Sequence, residues 1–242
     1  MTRTYFDGGH FIVDPSATEG FMAGARQMLR SLPSRDGVFA ADNLITMGRN
    51  LGFLADEALM GAWERHAEEP HEKAILWRTA VLMWGVRQAL RREGAFVECG
   101  VYRGTTARIL IDAGQIERPF FLYDTFETAE RHLPALGPDL EPFVRRRFAD
   151  KPNVVITKGR APESLGNAPE QIAFLHIDMN SAEAEVGALE VLFDRLVPGA
   201  VLVLDDYGWG FYRDQFEAET KWFAARGYSV LELPTGQGLV IR

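Results

Sequence analysis

Residues Ile172 to Tyr207 read IAFLHIDMNSAEAEVGALEVLFDRLVPGAVLVLDDY. Two apolar runs, 172–177 and 200–204, each end in acid: Asp178 after the first, Asp205 and Asp206 after the second. Short apolar runs bounded by turn residues read as buried parallel strands. Between them Val186, Leu189, Phe193 and Leu196 recur at helical spacing, which predicts a helix over 181–196. Asn180 stands at the expected N-cap, Glu183 completes a capping-box pattern, and Pro198-Gly199 is the expected stop. The unit is therefore βαβ, and its right-handed crossover brings both carboxyl ends to one edge of the sheet. Three carboxylates converging there repel one another unless a positive charge sits between them. Oxygen-only ligands suit a hard divalent cation such as Mg²⁺.

Strands and helices alternate from residue 95 to the end. Strands are expected near 95–100, 119–124, 153–157, 171–178, 199–206, 228–233 and 237–242, with helices between the first six. Only Leu233 to Gly238 separates the last two, too little chain for a crossover helix, so they form an antiparallel pair. The amino-terminal third reads differently. Residues 1–15 lack periodicity and read as an arm. Helices are expected over 17–32, over 42–67 with interruptions at Gly48 and Gly52, and as one strong helix over 72–92. The expected organisation is a helical region, 1–93, serving as lid and oligomerisation surface, followed by a cofactor domain, 94–242.

Composition narrows the function. The 242 residues carry a net charge of -8 and no basic run of five or more, which argues against a nucleic-acid partner; Arg145-Arg146-Arg147 reads as a solvated helix face. The apolar stretch Ala74 to Val86 is broken by Arg78 and is too short to span a bilayer, so no membrane partner is expected. The amino terminus lacks the apolar core of a signal peptide. Cys99 is the single cysteine, in an apolar strand where burial is expected; a reducing cytoplasm fits.

Gly94 to Thr106 (GAFVECGVYRGTT) is a strand running into Glu98, a turn with Gly100 and Gly104, and then a helix. The spacing is not the G-x-G-x-x-G of dinucleotide folds. It lacks the second glycine that lets backbone amides approach a pyrophosphate, which disfavours a nicotinamide dehydrogenase. The next strand ends at Asp124, an acid placed to accept ribose hydroxyls of an adenosine ligand.

The series FVECGVYRG (96–104), LYDTFE (122–127), LHID (175–178) and LVLDDY (202–207), with the segment from Asp42 to Leu54, resembles the macrocin O-methyltransferase (TylF/MycF/NovP-like) family. The resemblance implies a Rossmann-like class I methyltransferase sheet of seven strands, mostly parallel with the last antiparallel, behind a helical amino-terminal extension. It implies S-adenosylmethionine and Mg²⁺ as cofactors and a deoxysugar or glycosylated natural product as acceptor. It places Glu98, Gly100, Tyr102 and Gly104 around the methionine moiety, Asp124 on the ribose, and Gly159, Arg160 and Ala161 beside adenine. Asp178, Asp205 and Asp206 hold the metal on this reading, with Asp178 also the catalytic base. The family's Gly-Asp-x-Tyr-Glu-Ser-Thr-like run after the first acid is here Met179 to Glu185 (MNSAEAE), so the acceptor pocket departs from the pattern.

Other expectations follow. His176 is expected to pack with its ring hydrogen-bonded, and His132 lies in an expected flap, Thr128 to Pro138. Tyr207, Trp209, Phe211 and Tyr212 either wall the acceptor site or cover the sheet edge. A homo-oligomer, most simply a dimer, is expected. A catechol-type or other vicinal-diol acceptor, and a non-catalytic S-adenosylmethionine-binding protein, stay open as alternatives.

Overall fold

The computed structural model describes residues 3–6, 11, 13–34, 36–127 and 139–242; the expected flap with His132 lies outside them. The chain divides into two compact units, Met1–Trp77 and Arg78–Arg242.

In the first unit, β1 (Thr4–Phe6) lies where an arm was expected, and α1 (Thr18–Arg30) matches its helical pattern. β2 (Val38–Ala41) pairs in parallel with β1 and antiparallel with β3 (Leu44–Thr46). The helix expected from residue 42 therefore begins only at α2 (Glu57–His66), capped by Asp56 accepting the Leu59 N–H at 3.2 Å. Asp42 and Asn43 take φ of 50° and 56°, the left-handed pair that a two-residue hairpin turn requires. The single helix expected over 72–92 is interrupted at Ile75, giving α3 (Pro70–Ala74) and α4 (Leu76–Ala89). Phe39 and Ala41 pack with Leu51, Tyr5, Phe53 and Trp77 into a small aromatic core. Within it Phe39 stacks on Tyr5 at 5.2 Å and meets Trp77 edge-on at 5.0 Å.

The second unit continues as β4 (Ala95–Cys99), α5 (Thr105–Gly114), β5 (Phe120–Asp124), α6 (Glu141–Arg147), β6 (Val154–Lys158) and β7 (Ile172–Ile177). It closes with α7 (Ala182–Leu192), β8 (Leu196–Leu204), α8 (Arg213–Ala224), β9 (Leu231–Glu232) and β10 (Gly238–Ile241). The seven strands lie in the order β6-β5-β4-β7-β8-β10-β9. Neighbours from β6 to β8 are parallel, and β10 runs antiparallel to both β8 and β9, so one reversed strand sits in a parallel sheet as expected. This is the class I methyltransferase fold. Between β6 and β7 only a 3-10 turn, Glu163–Asn167, replaces the expected helix.

The crossover differs from expectation in two details. Ser181, not Asn180, caps α7, its hydroxyl accepting the Ala184 N–H at 3.4 Å. Asn180 is instead left-handed at φ 56°, and Glu185 rather than Glu183 reaches back, accepting the N–H groups of Met179 at 2.9 Å and Asn180 at 3.0 Å. The helix has already ended before Pro198-Gly199, which belongs to β8. There the register jumps from Ile172 opposite Leu196 to Phe174 opposite Val201, an irregularity that holds these two residues.

Alternating side chains sort the sheet's faces. Val97, Cys99, Leu175, Ile177, Leu202 and Leu204 face Leu189, Leu192 and Phe223 in the main core. Cys99 is fully buried there, and burial pushes its thiol far above the usual range. Phe174 points the other way onto α4, where a Cβ on Gly85 would come within 2.8 Å of its ring. No described helix is long and apolar enough to cross a membrane.

Candidate active site

The parallel ladder runs past the ends of β4, β7 and β8: the Asp178 N–H donates to the Cys99 carbonyl at 2.8 Å, and the Asp205 N–H to that of Ile177 at 2.9 Å. The three acids therefore lie side by side at the carboxyl edge of the sheet, where open α/β sheets place their ligands. What lies between them is protein. Arg78, projecting from α4, puts its Nη1 against Asp205 Oδ2 and 3.1 Å from Asp206 Oδ1. The side chains of all three are at most 10% exposed. The Arg78 guanidinium also lies over the Trp209 ring, 4.9 Å from its centroid.

His176, two residues before Asp178 on the same strand face, joins the group. Its Nδ1 lies 2.8 Å from Glu98 Oε1 and its Nε2 3.4 Å from Asp205 Oδ1. Burial works against a charged ring here, but the Asp205 and Glu98 carboxylates outweigh it and hold the imidazole up to about 10, so both ring nitrogens donate. Gln237, from the turn into β10, donates to Asp205 Oδ1 at 2.8 Å, and Thr235 in turn donates to Gln237 at 2.9 Å. The result is a chain of alternating charge, Glu98, His176, Asp205, Arg78, Asp206. Burial opposes ionisation of Asp205, and Arg78, His176 and Gln237 overcome it, leaving this carboxyl below its usual range. Among the described residues Asp178 accepts only a long bond from Asn180 Nδ2 at 3.5 Å; burial first, then Asp205 and Asp206, push its carboxyl well above the ordinary value, with His176 and Arg78 opposing from a distance. Among the described residues, His176, Asp178 and Asp205 bring ligand atoms within 4.8 Å of one another. Asp206 joins the cluster through Arg78.

The same edge carries the residues expected around the cofactor. Asp124 Oδ2 accepts the N–H groups of Val101 at 2.6 Å and Tyr102 at 2.7 Å, and its Oδ1 accepts that of Phe126 at 2.6 Å. The acid thus shapes the loop between β4 and α5, in which Tyr102 takes a φ of 50°. Gly100, at φ 90°, lies so close to β7 that a Cβ would come within 1.7 Å of the Asp178 carbonyl oxygen. Gly104, at φ 71°, opens α5, and its Cβ would fall 2.7 Å from the Phe148 ring. Gly159 donates its N–H to the Asp124 carbonyl at 2.9 Å, followed by exposed Arg160 and buried Ala161. Glu98 is 2% exposed and its Oε2 has no hydrogen-bond partner among the described residues; burial pushes its carboxyl up, with His176 opposing.

The aromatic residues after the acids divide by role. Tyr207 is buried, packs on Phe216 at 4.9 Å and bonds Thr220 through its hydroxyl at 2.7 Å, so it covers the sheet. Phe211 is 71% exposed. Tyr212 stands near enough to Asp206 and Asp178 that their charge, after burial, raises its phenol. A cleft of about 280 Å³ lies beside this loop, lined by Tyr207, Trp209, Arg213, Phe216 and Glu232.

Sequence reasoning missed Arg78, Gln237 and Glu185. For Arg78 a signal existed: a lone cation inside the apolar run 74–86 must find a buried partner. Gln237 offers no comparable signal, since its partner is decided by the antiparallel return of β10.

Comparison with known proteins agrees with this geometry. Residues 97–207 match a family model described as a methyltransferase domain, Methyltransf_24. The O-methyltransferase NovP superposes with a TM-score of 0.61 at 18% identity, covering 78% of this chain and 97% of that one. CalS11, a TDP-rhamnose 3'-O-methyltransferase of calicheamicin biosynthesis, superposes at 0.57 with 15% identity over 96% of this chain and 97% of that one. The S-adenosylhomocysteine-bound methyltransferase PaMTH1 of Podospora anserina superposes at 0.56 with 14% identity over 81% and 97%. No curated protein sequence matches. With the strand order, the glycine turn after β4 and the superpositions in agreement, the chain has the class I methyltransferase fold, and residues 97–207 within it are similar to a methyltransferase domain.

Proposed function

We propose that this chain is an S-adenosylmethionine-dependent O-methyltransferase acting on a hydroxyl of a small molecule, with a sugar or another glycosylated natural product as the acceptor class. The observation that carries the reading is the placement of Asp178, a carboxyl that makes no ion pair among the described residues, on the edge that also holds Glu98 Oε2, which has no donor among them. A buried carboxylate oxygen lacking a donor fits the ammonium of a methionine moiety. Asp124 Oδ1, which accepts a single N–H, retains capacity for a ribose hydroxyl. Gly100, Tyr102 and Gly104 form the turn beneath the methionine, and Gly159, Arg160 and Ala161 flank the adenine. CalS11, a TDP-rhamnose 3'-O-methyltransferase, lends the sugar acceptor its support.

When bound, the cofactor would supply a sulfonium methyl group whose C–S bond pair leaves on sulfur. The chain's own work is to hold the acceptor oxygen against that carbon and to take its proton. Asp178 receives the proton on its carboxylate as the new O–C bond forms. Residues 1–93 serve as lid and subunit contact, and Trp84, 45% exposed, is available to a dimer interface.

The Mg²⁺ that the resemblance implies meets its three acids here, but the donor set does not suit it. Both ring nitrogens of His176 are already engaged, Nδ1 with Glu98 and Nε2 with Asp205. Asp205 gives Oδ2 to Arg78 and Oδ1 to Gln237 and His176.

Two measurements test the function. Calorimetry with S-adenosylhomocysteine should give saturable binding, and absence of binding ends the methyltransferase reading. On an accepted substrate, Asp178→Asn should lower kcat about 100-fold or more with KM little changed; near-normal turnover removes Asp178 from the chemistry.

A further inference from the structure

The interior of the acid cluster already contains a positive charge. Arg78 Nη1 touches carboxylates of both Asp205 and Asp206, the position that a bridging divalent ion would take. A guanidinium keeps its charge at any pH at which the protein is folded. Asp205, Asp206 and the Trp209 ring all hold it there. A divalent ion entering this space would stand within a few ångströms of a fixed cation in a poorly solvated site, where like charges repel strongly. Nor would it find free ligands on Asp205, whose two oxygens receive Arg78, Gln237 and His176.

We infer that Arg78 replaces the divalent metal in this chain, so that the Asp205-Asp206 centre binds no Mg²⁺ and works without it. The inference rests on the methyltransferase reading only for what the centre is used for; the exclusion of metal follows from the side chains alone. Arg78 acts as a positioning residue. It neutralises the two strand-end acids and fixes them, leaving Asp178, which it does not contact in hydrogen-bonding geometry among the described residues, as the carboxyl facing the acceptor. Wild-type methyl transfer accordingly needs no added cation and withstands a chelator.

The test is direct metal binding, which needs no acceptor. Purified full-length chain, stripped with EDTA and desalted, is titrated with Mn²⁺ and followed by loss of the free-ion electron paramagnetic resonance signal. Wild type should show no saturable binding at this centre up to about 1 mM, the weak end of protein sites for hard cations. Arg78→Met, which leaves the acids without their cation, should gain a site at least about tenfold tighter, whereas Arg78→Lys should not. Should Arg78→Met be too unstable to titrate, its thermal midpoint should rise on adding Mn²⁺ while that of Arg78→Lys stays fixed. Saturable wild-type binding below about 1 mM that disappears in Asp206→Asn overturns the inference. Binding that survives Asp206→Asn but disappears in Asp178→Asn sits on the same cluster and overturns the inference as well, whereas binding that survives both lies elsewhere and leaves the centre metal-free as expected. S-adenosylhomocysteine calorimetry in EDTA runs alongside. Its failure sinks the cofactor reading, and the Mn²⁺ titration alone decides the inference.

Discussion

Two groups of buried acids in the sheet unit are neutralised in opposite ways. At the ends of β4, β7 and β8 the protein supplies cations, and Glu98, Asp205 and Asp206 alternate with His176 and Arg78. Between α7 and α8 no cation among the described residues does so. Glu185 and Glu219 are both fully buried and meet each other, and Glu185 Oε2 and both oxygens of Glu219 receive no donor among the described residues. There neutrality comes from a proton: burial first, then the neighbouring carboxyl and Asp206, push Glu185 well above its usual range, and burial with Asp206 carries Glu219 to about 7. A fixed cation makes a charge pattern that pH scarcely moves. A shared proton makes one that weakens as pH rises.

The largest expected effect comes from breaking the first arrangement. Arg78→Met removes the cation shared by two buried carboxylates and should cost about 3–5 kcal/mol in urea unfolding, as removal of one member of a buried ion pair does. A loss below about 1 kcal/mol, the level of a surface pair, would mean that solvent already screens the cluster.

The second arrangement gives a smaller effect with a distinctive pH dependence. An acid whose folded value lies above its unfolded one, 4.5 for glutamate, contributes stability in full below 4.5 and loses it as pH climbs through the folded value. For Glu219 the window runs from about 4.5 to about 7. Glu219→Gln should therefore be more stable than wild type at pH 8 by up to about 3 kcal/mol, with the advantage fading toward pH 5. Parallel stability curves for the two proteins across this range would show that Glu219 keeps no extra proton. The smallest effect serves as reference. Arg213 and Glu217, a solvent-exposed pair on α8 at 2.9 Å, should tolerate Arg213→Ala without measurable change in midpoint at moderate salt.

The contrast between regions also explains what could be read without coordinates. The strand-end acids were legible because hydrophobic runs stop abruptly at Asp178 and Asp205, and the terminal hairpin because Leu233 to Gly238 is too short to cross over. Cys99 and His176 followed from their strand positions. The amino-terminal hairpin was not legible as such, because β2 and β3 span four and three residues, too few for alternation to show. Its signal lay in Asp42-Asn43, two residue types that tolerate positive φ. Arg78, Glu185 and Glu219 were harder for a different reason. Each is a charge on an otherwise buried helix face, and its meaning depends on a partner far away in the chain: 127 positions for Arg78 and Asp205. Periodicity places such a residue inside but says nothing about whom it meets.

The close approach of Gly100 to Asp178 has an evolutionary consequence. A side chain at position 100 would collide with the strand that carries the strand-end acid, so selection against substitution there acts whether or not a ligand is ever bound. A descendant of this chain that lost catalysis would go on keeping this glycine for as long as it folded. The glycine that most readily marks a cofactor loop is therefore poor testimony that the cofactor is still used, and a survey of active and inactive descendants would have to look to Asp178 and Glu98 to tell them apart.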